Sequence, residues 1–154
     1  MKRMIRTVIV LLAGLLGGGA TASGQVYLNS GSAGTDWRLR PQAEVSGGVA
    51  DLSSASYDAS DWVKAIVPGT AFSAYVAAGI EQDPNFGDNI HRVDRKKYDR
   101  SFWYRTTFRV PGDFTKELLW LNFNGVNRRA EIYLNGVELG RLDGFMHRGR
   151  FNIT

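Results

Sequence analysis

Strand-like alternation in the second half of the chain limits the fold more than any other feature. From Phe102 to Val110, Tyr104, Thr106, Phe108 and Val110 fall on one face, and Trp103, Arg105, Thr107 and Arg109 on the other. That two-residue period belongs to a β-strand. Leu118 to Phe123 repeats it, with Leu119, Leu121 and Phe123 together. Arg129 to Leu134 repeats it again, with Ala130, Ile132 and Leu134 inside and Arg129, Glu131 and Tyr133 outside. Asn135-Gly136 then supplies the preferred pair for a two-residue type I′ turn, so Val137 to Leu139 returns as the partner strand. Phe151 and Ile153 begin a further alternation, which the sequence does not complete.

Earlier in the chain, Trp37-Arg38-Leu39-Arg40 alternates apolar with basic, as a half-buried strand does. Pro41 to Ser60 is rich in Gly, Ser, Ala and Asp and reads as loop, with at most short strands near Val45 and Val49. Pro68-Gly69 marks a turn. One short helix follows: Thr70 is placed to cap it, Phe72, Tyr75, Val76 and Ile80 recur near helical spacing, and Gly79 sits where a left-handed cap is wanted. Gln82 to Lys97 reads as polar loop. The many aromatics (4 Trp, 6 Tyr, 8 Phe) beside 18 glycines suit a β-sandwich or barrel better than a helical bundle.

The N-terminus reads differently. Lys2, Arg3 and Arg6 precede an apolar run from Val8 to Leu16, then Gly17 to Gly19 and Ala20-Thr21-Ala22. Charge, a short apolar core and small residues, in that order, describe a secretory signal over residues 1–24, cut after Ala22 or Gly24. A membrane anchor is the alternative, but the run is about half of the ~20 residues a spanning helix needs. The remaining 25–154 fits one domain. The three basic residues of the leader account for all but one unit of the +4 net charge. Export to periplasm or medium is therefore expected, with no membrane attachment after cleavage and no nucleic-acid partner. With no cysteine, burial must hold the domain together without disulfides.

The chemistry on offer is binding chemistry. A glycosidase needs two facing carboxylates, and Glu44, Glu81, Glu117, Glu131 and Glu138 show no evident partner. Asp83 and Asp88 share a loop, where turn formation and capping account for them. Asp83, Asn85 and Asp88 lack the rhythm of a calcium loop. His91 and His147 have no second ligand at metal spacing. No catalytic residue, metal or cofactor is assigned. An exposed Trp beside Asp and Asn could hold a sugar, stacking on its C–H face and bonding its hydroxyls. Trp103 with Asp88 and Asn89 is the best such set, whereas Trp37, Trp62 and Trp120 are expected in the core.

A series of short matches, in order, carries a family resemblance: Trp62, Val67-Pro68-Gly69-Thr70, Ala77-Ala78-Gly79, Asp83-Pro84, Phe86-Gly87-Asp88-Asn89, Phe102-Trp103-Tyr104-Arg105, Phe108, Leu121-Asn122-Phe123-Asn124-Gly125-Val126 and Ile132-Tyr133-Leu134-Asn135-Gly136. Together they resemble the N-terminal domain of glycoside hydrolase family 2, nearest to its exo-β-D-glucosaminidases and β-mannosidases. The resemblance implies an all-β fold, a galactose-binding-like jelly-roll β-sandwich with one short helix. It also implies partner domains, an immunoglobulin-like domain and a TIM barrel that supplies both catalytic glutamates. By position Asn89 resembles a residue that reaches the sugar pocket, with Asp88 its neighbour and Trp103 turned to the barrel.

The chain departs from that pattern where the last sandwich strands and a second site loop would follow, so it reads as truncated. Ala71 also stands where a β-branched residue is more usual. The expectation is a carbohydrate-binding fragment of an exported glycosidase, inactive alone, with a β-linked glycoside from chitosan or mannan as partner. A free-standing secreted sugar-binding module is the alternative, and an interaction domain without a ligand a third reading.

Overall fold

The computed structural model describes residues 7–16, 25–54, 56–111 and 118–154. The basic residues of the leader, its small-residue cleavage region and Glu117 lie outside them. Among the described residues, six strands form one mixed sheet: β1 Thr7–Leu16, β2 Arg38–Pro41, β3 Val63–Lys64, β4 Phe102–Pro111, β5 Trp120–Leu134 and β6 Val137–Asn152. Their order across the sheet is β3-β2-β4-β1-β5-β6. Three short α-helices accompany them among the described residues: α1 Val49–Leu52, α2 Ala71–Ala77 and α3 Asn89–Arg92.

The strands expected from alternation are present. The Asn135-Gly136 turn has positive φ at both residues, 49° and 83°, as a type I′ turn requires, and joins Leu134 to its partner Val137. The returning strand is far longer than Val137 to Leu139. β6 runs for 16 residues and pairs with β5 as far as Trp120 opposite Asn152. The alternation at Phe151 is thus the far end of the same strand. Register shifts between Phe123 and Arg128 bend this long ribbon.

The expected helix is α2. Thr70 Oγ1 accepts from the Ser73 amide at 3.0 Å, and Ser73 Oγ accepts from the Thr70 amide at 2.9 Å. At the other end Gly79 takes φ +70°, its amide donates to Val76 and the Ile80 amide donates to Tyr75, which closes a Schellman cap.

Two expectations about loops are corrected. Val49 opens helix α1 rather than a strand, because Asp51 turns back onto the Gly48 amide at 3.0 Å and starts a helical turn. The segment 82–97, expected to be loop throughout, contains α3 and a 3-10 turn at Arg95–Lys97. The described residues therefore hold more helix than the single one expected. The described residues form one mixed sheet with several short helices, and no closed barrel is seen among them.

Each face of the sheet carries a packed cluster. On one, Trp37, Leu39, Ala74, Phe102, Phe108, Leu121, Ala130, Ile132 and Leu142 form the main core, joined by Tyr104 and Phe123. On the other, Leu52, Ala59, Trp62 and Trp103 form a smaller cluster with Tyr133 against it. The segment around α1 caps this second face.

β1 is the unexpected strand. The apolar segment read as the centre of an export signal lies between β4 and β5, parallel to both, paired along Thr7–Leu16 with β4 and along Thr7–Leu11 with β5. Parallel neighbours so distant in sequence cannot be inferred from local pattern.

Candidate functional site

Asp88 and Asn89 sit where a polar loop enters α3. The loop is built by its own side chains. Asp83 Oδ1 accepts from the Asn85 backbone amide at 2.9 Å and from Asn85 Nδ2 at 3.1 Å, an Asx-type turn. The Asp83 carbonyl also accepts from the Phe86 amide at 3.2 Å. Gly87 takes φ +57°, a left-handed conformation open to glycine, and reverses the chain before Asp88. The turn-forming account of Asp83 therefore holds.

Asn89 is half-buried and tied down on one side. Its Nδ2 donates to the Asp83 carbonyl at 2.9 Å. Its Oδ1 has no partner among the described residues, so it is oriented and able to accept a hydrogen bond. Asp88 is exposed and occupied. It occupies the capping position of α3 without a side-chain capping bond, and pairs instead with Arg92 Nη2 at 3.0 Å, one turn on.

Trp103 does not join them. It is 7% exposed and lies in the second core cluster, with its ring 6.4 Å from that of Tyr133. The expectation of an exposed Trp103 platform is corrected. Helix α1 and the Trp62 segment pack over this face of β4, and position in a strand alone could not reveal that cover.

The aromatic that does share the Asn89 loop is Phe86, 76% exposed, whose carbonyl accepts from the Asn89 amide at 3.3 Å. Sequence reading passed over it. The signal was its setting, a large aromatic enclosed by Asp83, Pro84, Asn85 and Gly87, where no periodic core face exists. Phe86 and Asn89 thus place an apolar ring and a fixed amide on one short loop. Two surface depressions, one lined by Arg95, Lys96, Tyr98 and Asp99 and one by Ser30, Lys64, Ala65, Ile66, Ala77 and Ala78, contain neither Asp88 nor Asn89.

The tryptophans expected in the core divide. Trp37 and Trp62 are 5% and 4% exposed. Trp120 is 40% exposed, contrary to expectation, because it lies at the outer end of β5, beyond the Phe123–Val126 register shift. His91 and His147 are both exposed. No group of three or more His, Asp or Glu that could hold a metal occurs among the described residues.

Residues 37–154 match the family model described as glycosyl hydrolase 2 galactose-binding domain-like. An exo-beta-D-glucosaminidase of Streptomyces avermitilis is 28% identical over 153 residues, covering 91% of this chain and 17% of the relative. A beta-mannosidase of Rattus norvegicus is 31% identical over 147 residues, covering 95% of this chain and 14% of the relative. An exo-beta-D-glucosaminidase of Amycolatopsis orientalis is 27% identical over 105 residues, covering 68% of this chain and 10% of the relative. The chain thus spans less than a fifth of the length of these relatives. No solved structure gave a significant match. With the family model covering the whole described domain from Trp37 onward, the chain belongs to the glycosyl hydrolase 2 galactose-binding domain-like family.

Proposed function

We propose that this chain is the sugar-binding part of an exported family 2 glycosidase of the exo-β-D-glucosaminidase and β-mannosidase kind. In this reading the sheet belongs to a jelly-roll sandwich, and the loop 83–92 lends contacts to a sugar site whose catalytic carboxylates stand on other domains. The observation that carries it is the Asn89 side chain, whose Nδ2 donates to the Asp83 carbonyl while its Oδ1 stays open to accept. A single oriented acceptor beside the exposed Phe86 ring suits a subsite wall and not a complete active site. Asp88, bound to Arg92, orients the loop. The substrate class is a terminal β-linked glucosaminide or mannoside.

Residues 1–24 serve as the export signal in this reading, delivering the product to periplasm or medium. Cleavage after Ala22 or Gly24 takes β1 out of the sheet, so the leader is either exported away or retained as a strand. N-terminal sequencing of the exported product decides it: a product beginning near Gln25 supports export with cleavage, and one retaining Thr7 overturns it.

Calorimetry tests the binding reading. Chitosan and mannan oligomers should give weak heats that Asn89→Ala abolishes, with no turnover of aryl β-glucosaminides or β-mannosides by the chain alone. Turnover above a protein-free control, or heats unaffected by Asn89→Ala, would overturn it.

A further inference from the structure

The outer half of the β5–β6 ribbon carries a second set of groups that the Asn89 loop does not use. Along β5, Trp120, Asn122 and Asn124 are exposed while Leu121 and Phe123 turn to the core. Along β6, Arg148, Arg150 and Asn152 are exposed while Phe151 packs inward. Trp120 lies opposite Asn152, and Asn122 opposite Arg150. The guanidinium of Arg150 stands 4.2 Å from the centre of the Trp120 ring, over one face of the indole, and Trp120 still keeps 40% exposure.

Charge sets this face apart. Most arginines elsewhere have acidic partners: Arg38 with Asp36, Arg40 with Asp61, Arg92 with Asp88, Arg100 with Glu44, Arg129 with Asp143 and Arg141 with Glu138. Arg148 and Arg150 have none among the described residues, and neither 118–130 nor 144–154 contains an Asp or Glu. The amides of Asn122 and Asn124 also lack protein partners among the described residues. Asn152 is held by one bond, its Oδ1 accepting from the Thr154 amide at 2.9 Å, which leaves its Nδ2 as a donor.

We infer that this face binds an acidic glycan, a chain of uronic acid residues. Trp120 stacks on the sugar C–H face. Arg150, already fixed over the indole, and Arg148 receive carboxylates, a pairing stronger than neutral hydrogen bonds. Asn122 and Asn152 meet hydroxyls. A twisted two-stranded ribbon holds these groups in fixed register, so little ordering is needed on binding. A nucleic acid fits less well: one exposed indole offers one stacking step, and two arginines neutralise few phosphates. The surface shares no residue with the Asn89 loop, so the two stand or fall separately.

The four tryptophans make the test selective, because Trp37, Trp62 and Trp103 are buried and only Trp120 is open to a quencher. Polygalacturonate added to the full chain should protect tryptophan fluorescence from acrylamide. In affinity electrophoresis the same polymer should retard the chain, less so as salt rises. Trp120→Ala and Arg150→Gln should each weaken retardation at least tenfold, while Arg95→Gln, which removes the same charge elsewhere, should not. Should Trp120→Ala fail to fold, fluorescence protection and Arg150→Gln carry the test. Equal retardation by neutral mannan, equal binding of single-stranded DNA, or retardation that survives in both variants would each overturn the inference.

Discussion

Arg105 donates from Nε to the carbonyl oxygen of Leu52 at 2.9 Å, across 53 residues of sequence. Its Nη2 donates to the Ser54 carbonyl at 3.0 Å, and its guanidinium lies 5.7 Å from the Tyr57 ring centre. One strand side chain thus ties the segment that covers Trp103 to the sheet. Burial pushes the Arg105 pKa down, yet the group donates to the Leu52 carbonyl and adds a second donor to the Ser54 carbonyl, which also accepts from the Tyr57 amide.

Arg105→Met should cost about 1–3 kcal/mol, since the Leu52 carbonyl loses its donor, the Ser54 carbonyl keeps only the Tyr57 amide, and the second core loosens. Chemical denaturation measures it. The same variant should raise acrylamide access to Trp103 in a background where Trp120 is Phe. An unchanged midpoint would mean that the α1 segment is held by apolar packing alone.

Thr70→Ala should remove about 1 kcal/mol, because the Ser73 amide loses its side-chain acceptor at the start of α2. Thr70→Ser should restore most of it. The comparison is by thermal melting, and equal losses in both variants would contradict the cap.

Tyr104 packs against the main core, and burial pushes its phenol up to about 12 from the ordinary 10.0. The folded chain therefore keeps the proton that the unfolded chain releases. Stability from this group is full below pH 10 and falls as pH rises toward 12, by up to about 3 kcal/mol. Tyr104→Phe should flatten that fall in urea midpoints measured between pH 9 and pH 11.5. A parallel fall in both proteins would assign it elsewhere.

Removing β1 exposes the pairing edges of both β4 and β5. A chain beginning at Gln25 should melt roughly 10 °C or more below the full chain, and should self-associate through the opened edges. Size-exclusion chromatography and scanning calorimetry of both forms check this. A monomer with an unchanged melting temperature would mean that β4 and β5 close directly on each other.

The hairpin at Asn135-Gly136, the capped helix after Thr70 and the facing of β4 were legible because each rests on neighbours within a few residues. Backbone φ at the turn, a hydroxyl three residues from an amide and a two-residue alternation are local physics, and the chain carries them wherever it goes. Which tryptophan is covered was not legible. Trp103 and Trp120 both lie on alternating strands, but the distant segment held by Arg105 buries one, while the other keeps 40% exposure with Arg150 over one face of its ring. The place of residues 7–16 was not legible either, since a short apolar run serves as a leader or as a parallel strand. The sequence by itself determined the strand-rich family domain, its turns and its helix cap. Tertiary structure decided the exposure of Phe86 and Trp120, the burial of Trp103 and the open acceptor of Asn89, because exposure depends on what packs over a residue from far along the chain.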